Sequence, residues 1–153
     1  MKFAELLNPR AVKAVSSTSS KKRLMHDIAD IAESAYGIPA DRSVDALMER
    51  ENLGPTGVGH GVALPHARLD CVGSVVGVFM LLEKPIDFNS VDRQPVDIVF
   101  ALFAPEDAGV EHLKALALVS RTLRDPEFCT KLRANPDPAT LHTIITEGAT
   151  LAA

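Results

Sequence analysis

Two histidines and an arginine stand at spacings that could do chemistry. In residues 53–68, LGPTGVGHGVALPHAR, a Pro-His pair closes a short apolar stretch that follows four glycines, Gly54, Gly57, Gly59 and Gly61. Glycine admits φ > 0 and close approach of other groups, and Pro65 restricts the backbone of Leu64. The run therefore predicts His66 held at a strand end beside a backbone-exposing loop. An imidazole near its ordinary pKa is partly neutral at physiological pH, so it can serve as nucleophile, proton shuttle or metal ligand. His112, preceded by Glu111 and followed by Leu113, Leu116 and Ser120 in a helical pattern, falls in a first helical turn and could meet His66 at the rim of a sheet. A phosphoryl group bound between two such rings needs donors for its oxygens. Arg50, Arg68 and the N–H groups of the glycine loop are the candidates.

Other readings of the same residues stay open on spacing alone. His60, between two glycines, suits a turn. A metal site built from His60, His66 and His112 is conceivable, but no cysteine or carboxylate cluster completes its shell, and no metal is assigned. His26 and His142 sit on ordinary amphipathic helices. The chain holds no GxxxxGK[ST], GxSxG or HExxH, so nucleotide-driven, serine-hydrolase and zincin chemistries lack their usual signals.

The elements that must position these groups follow from periodicity and punctuation. Residues 3–7 form a helical turn stopped near Asn8 and Pro9, and residues 11–15 a first strand. Ser19 or Ser20 caps a helix whose apolar positions Leu24, Ile28, Ile31, Ala32 and Ala35 recur at three and four, ending around Gly37. Lys21, Lys22 and Arg23 fall in its first turn, against the helix dipole, and read as a solvated helix start or a partner-facing patch. Ser43 is placed to cap a second helix with Val44, Leu47 and Met48 inward, Arg50 on its last turn and Gly54 after it. Strands are expected at 62–65, 75–82 and 96–103, the last two apolar enough for burial on both faces, joined by the polar connection LEKPIDFNSVDRQP. Helices follow at 110–123 and after Asp125-Pro126 and Asp137-Pro138, each pair supplying a capping oxygen and a proline at the first helical position. Leu141, Ile144 and Ile145 bury the last helix, Gly148 ends it, and residues 149–153 are expected to fray.

Alternating strands and helices give an α/β class: a small mixed β-sheet covered by helices on both faces, a three-layer α/β/α sandwich. The length of 153 residues fits a single domain, 1–153. A formal charge of −4 argues against a general nucleic-acid partner. No apolar run reaches the length of a membrane span or a secretory core, so a cytoplasmic protein without membrane insertion is expected. Cys71 and Cys129 lie in no CxxC pattern and read as reduced thiols.

Arg50-Glu51, the run LGPTGVGHGVALPHARL and Glu111-His112-Leu113 together resemble the enzyme IIA domain of the fructose, mannitol and nitrogen-regulatory class of the bacterial phosphoenolpyruvate-dependent phosphotransferase system. The similarity spans nearly the whole chain, and its most specific part is the TGxGxGxAxPH core, here Thr56 to His66. The resemblance implies that His66 accepts a phosphoryl group from a histidine phosphocarrier protein, that His112 is a second active-site histidine, and that Arg50 is the active-site arginine. It implies no cofactor. His60 stands where members commonly carry asparagine or an acidic residue. SKKRLMHDIADIAES and ENLGPTGVGHGVALPHARL are most similar to the free-standing nitrogen-regulatory type, whose phosphorylation state regulates target proteins. A sugar-specific component that feeds a separate membrane permease is the alternative, and a non-catalytic regulatory binding module a further one.

Overall fold

The computed structural model describes residues 1–148; residues 149–153, expected to fray, lie outside the described part. The elements run α1 (Phe3–Leu6), a 3-10 turn (Pro9–Ala11), β1 (Val12–Val15), α2 (Lys21–Tyr36), α3 (Ala40–Leu53), β2 (Gly57–Gly59), β3 (Val62–Ala63), β4 (His66–Leu69), β5 (Val76–Ile86) and β6 (Val96–Pro105). Helices α4 (Gly109–Leu123), α5 (Pro126–Arg133) and α6 (Pro138–Thr143) and a π-helical turn (Ile144–Gly148) complete them.

The strands form one mixed sheet in the order β1-β5-β6-β3-β2, with β4 also paired to β6. Central β5 and β6 are antiparallel, with Phe79 opposite Phe100 and Val78 opposite Ala101. Every residue of β6 from Ile98 to Ala104 is inaccessible to solvent, as are Val78 and Phe79 of β5. Such unbroken burial requires cover on both faces, which the helices supply. Helix α1 adds Phe3 to the Phe79 and Phe100 rings on one face, with Phe3 and Phe100 centroids 5.7 Å apart.

The strand edge that carries His66 is broken rather than ended. β3 and β4 lie end to end along β6 in one register, Val62 opposite Ile98 and His66 opposite Leu102. Pro65 has no N–H to donate, so the ladder lapses there, yet its carbonyl still accepts from Leu102 N at 2.9 Å. The expected strand 62–65 thus continues to Leu69, and His66 opens its second half. Beyond the break, Ala67 and Leu69 are buried while Arg68 is exposed and His66 half-buried, placing His66 and Arg68 on one face.

Two other expectations need correction. Helix α3 begins at Ala40, not at Ser43: Pro39 presets its entry, and the Glu33 carboxylate at the end of α2 accepts from Ala40 N at 2.9 Å. Ser43 is fully buried inside the helix, its hydroxyl without a partner among the described residues. Strand β5 runs on to Ile86, because Lys84 N donates to Ser16 O at 2.9 Å and Ile86 pairs with Val96, so the polar connection is shorter than read. The caps at Ser20, Asp125 and Asp137 form as read, each accepting a backbone N–H at 3.0 Å. Gly37 closes α2 at φ 74°.

Candidate active site

The break at Leu64-Pro65 turns the His66 ring back over its own strand. Its Nδ1 lies 2.9 Å from Leu64 O, and its Nε2 lies 3.3 Å from Arg50 Nε. A guanidinium only donates, so Nε2 must be the accepting, unprotonated nitrogen, and Nδ1–H is the group that donates to Leu64 O. Arg50 is itself fixed, because its Nη1 donates to Gly54 O at 2.9 Å, across the C-terminal end of α3.

His112 enters from the first turn of α4 and is 4% exposed. The His66 and His112 rings meet edge to face with centroids 5.5 Å apart. Arg68 Nε donates to His112 Nδ1 at 3.1 Å, which leaves the proton on His112 Nε2. That Nε2–H is buried and has no partner among the described residues. A buried donor left unpaired costs on the order of 1–3 kcal/mol, so this one is suited to an oxygen that arrives during function.

Both rings are held neutral. Burial, reinforced by the Arg50 and Arg68 charges and opposed by the Leu64 carbonyl and the Glu51 carboxylate, lowers the His66 pKa below the ordinary imidazole value. Burial first, then the repulsion a protonated His66 would exert and the Arg68 charge, lower that of His112 to about 4. Unfolded, His112 would take up its proton near pH 6.5, so between there and about pH 4 the unfolded state holds more protons than the folded one. The stability from this difference is complete above the unfolded value and is lost as pH falls toward 4, up to about 3 kcal/mol. Urea unfolding at pH 7 and pH 5 should show a smaller acid loss for His112→Gln than for the native protein; equal losses would remove His112 as the source.

The structure brings together Arg50, His66, Arg68 and His112 and leaves the other histidines apart. His60 is an exposed turn residue at φ 57°, with its N–H on Asp92 Oδ2 at 2.9 Å and its carbonyl on Arg133 Nη2 at 3.1 Å. Among the described residues no group of three His, Cys, Asp or Glu side chains is arranged to hold a metal. His142 Nε2 sits 2.9 Å from Leu7 O, and His26 is exposed.

The glycine run is built for packing more than for offering amides. The N–H groups of Thr56, His60 and Leu64 are already donated, to Glu51, Asp92 and Thr56 O respectively. A Cβ on Gly57 would collide with the Ser90 side chain, and one on Gly61, at φ 81°, would lie 2.6 Å from Arg133 Nη2. Beneath this run lies a buried carboxylate that sequence reasoning did not single out. Glu51 Oε1 accepts from Thr56 N at 2.9 Å, and Oε2 accepts from Thr56 Oγ1 at 2.6 Å. Its one sequence signal is its place directly after Arg50.

Known proteins resemble this chain over nearly its whole length. Residues 5–148 match the family described as phosphoenolpyruvate-dependent sugar phosphotransferase system, EIIA 2. The chain is 41% identical to a nitrogen regulatory protein of Bradyrhizobium diazoefficiens, over 95% of each chain. It is 37% identical to the nitrogen regulatory protein of Escherichia coli, over 96% of this chain and 91% of that one. Its fold matches the crystal structure of nitrogen regulatory protein IIA-Ntr from Neisseria meningitidis with a TM-score of 0.87 at 30% identity, covering 93% of this chain and 97% of that one.

Proposed function

The chain belongs to the EIIA 2 family of the phosphoenolpyruvate-dependent sugar phosphotransferase system, and on that premise we propose that it is a nitrogen-regulatory-type IIA protein that accepts a phosphoryl group on His66 Nε2. The observation that carries the reading is the pair of hydrogen bonds on the His66 ring. With Nδ1–H committed to Leu64 O, the lone pair stands on Nε2, beside a guanidinium that can receive phosphoryl oxygens.

The proposed donor is the phosphohistidine of a histidine phosphocarrier protein. The Nε2 lone pair forms a new N–P bond as the donor's N–P bond breaks, and that electron pair returns to the donor imidazole. The positive charge acquired by the His66 ring is stabilised through Nδ1–H by the Leu64 carbonyl. Arg50, whose Nε loses its ring acceptor as the N–P bond forms, turns to the phosphoryl oxygens. The unpartnered Nε2–H of His112 supplies a second donor. In-line positioning and charge stabilisation carry such a transfer, with no call for a nucleotide or metal. The phosphoryl group adds close to two negative charges to an acidic protein, so regulatory targets would separate the two forms by charge. Such an exchange belongs in the cytoplasm.

Incubation with phosphoenolpyruvate, enzyme I and the phosphocarrier, followed by mapping of acid-labile phosphate, should find one phosphoryl group on His66, with nitrogen NMR placing it on Nε2. Phosphate on another residue, or none, overturns the reading. In the same assay Arg50→Gln should slow uptake more than Arg50→Lys, which keeps the charge but loses the planar fork. Equal rates for the native protein and both variants would reduce Arg50 to a cap on the Gly54 carbonyl.

A further inference from the structure

The basic run at the start of α2 is only partly the solvated helix start that its composition suggests. Lys22 and Arg23 are exposed, but the Lys21 ammonium lies 2.6 Å from Glu51 Oε1 and donates to Phe88 O at 3.0 Å. It also stands 4.5 Å from the centre of the Phe88 ring. The Glu51 carboxylate is buried, with 4% of its side chain exposed, and it receives Lys21, Thr56 N and Thr56 Oγ1 together. One ion pair thus ties four separate segments: the first turn of α2, the last turn of α3, the entry to β2 and the loop that follows β5.

A buried ion pair is weak grounds for stability, since desolvation of both charges offsets most of their attraction. What this one does is geometric. Both hydrogen bonds of the His66 ring trace back to Glu51 within a few links. On one side, Glu51 follows Arg50, whose Nε reaches His66 Nε2. On the other, Glu51 holds Thr56 by its N–H and its hydroxyl; Thr56 O accepts from Leu64 N at 3.0 Å, and Leu64 O receives His66 Nδ1–H.

We propose that Lys21 and Glu51 are positioning residues for phosphoryl transfer: their cluster with Thr56 sets both hydrogen bonds of the His66 ring at once and so keeps Nε2 the nucleophilic nitrogen. This rests on the reading of His66 as acceptor. Neither residue touches the reacting atoms; they act through Arg50 on one side and the Leu64 carbonyl on the other.

The test uses Glu51→Gln, the paired Lys21→Met/Glu51→Gln, which leaves no charge buried alone, and Thr56→Val, which removes one donor and keeps the shape. Transfer is measured against phosphocarrier concentration, and the nitrogen shifts of the His66 ring are read by NMR in the unphosphorylated protein. Leu141→Val, a core change in α6, controls for lost stability. The expected result is a maximal single-turnover rate lowered roughly ten- to a hundredfold, the upper end being what a misplacement near 1 Å can cost, with the half-saturating carrier concentration unchanged. The His66 shifts should move toward a mixture of tautomers, while Leu141→Val changes neither readout. Unchanged shifts in the Glu51 and Thr56 variants overturn the proposal, whether or not the rate falls. The nitrogen shifts need no donor protein, so a native chain that takes up no phosphate would defeat the acceptor reading while leaving the positioning proposal to be decided by NMR.

Discussion

Replacement of His66 by alanine is expected to leave a folded protein that accepts no phosphoryl group. The loss should be complete because the arrangement supplies no second nucleophile. His112 presents a protonated Nε2, and its Nδ1 lone pair is already occupied by Arg68 Nε at 3.1 Å. His60 is turned into an exposed corner bound to Asp92 and Arg133 through its backbone. The fold should survive, since β4 pairs with β6 through main-chain bonds and the His66 side chain is only half-buried. Arg50 would lose one hydrogen bond and keep its hold on Gly54 O. Intact-protein mass after incubation with the donor system, read beside circular dichroism, decides the matter. Stoichiometric phosphate on folded His66→Ala protein would mean that the acceptor lies elsewhere.

Much of this site is legible in the chain because its signals are local. A proline before histidine, glycines before that, and a histidine in the first turn of an apolar helix each advertise themselves within a few residues. The apolar runs at β5 and β6 are likewise local, and both prove buried on both faces. The features that were not legible depend on partners distant in sequence. Lys21 reads as a solvent-facing charge because nothing nearby in the chain announces Glu51 or Phe88. The cap of α3 comes from Glu33 in the preceding helix, not from the serine that has the preferred composition for it. Pro65 reads as the end of a strand, whereas β6 runs past it and takes up the pairing again at His66. The glycine pattern reads as a set of amides open to an anion, but Glu51 and Asp92 already accept two of them. A glycine pattern establishes close approach without saying what approaches.

Removal of the His112 side chain is expected to slow phosphoryl uptake by about a hundredfold or more while leaving His66 the site of the covalent bond. The reason lies in the buried Nε2–H, which has no partner among the described residues and is therefore a preformed donor that needs no reorganisation when an oxyanion arrives beside it. His112→Ala removes that donor, opens space beside His66, and leaves Arg68 Nε without its acceptor. His112→Gln separates these effects: its carbonyl oxygen can accept from Arg68 and its amide can donate where Nε2–H did, so it should recover much of the rate that alanine loses. Because the His112 pKa stands at about 4, the native ring is a neutral donor at pH 7, and the neutral glutamine amide is a fair substitute there. Single-turnover transfer from the phosphocarrier, measured for the three proteins at pH 7 with the phosphate mapped in each, gives the comparison. A native rate in His112→Ala would show that Arg50 and the incoming carrier stabilise the phosphoryl group without it, and phosphate found on His112 in the native protein would exchange the roles of the two rings.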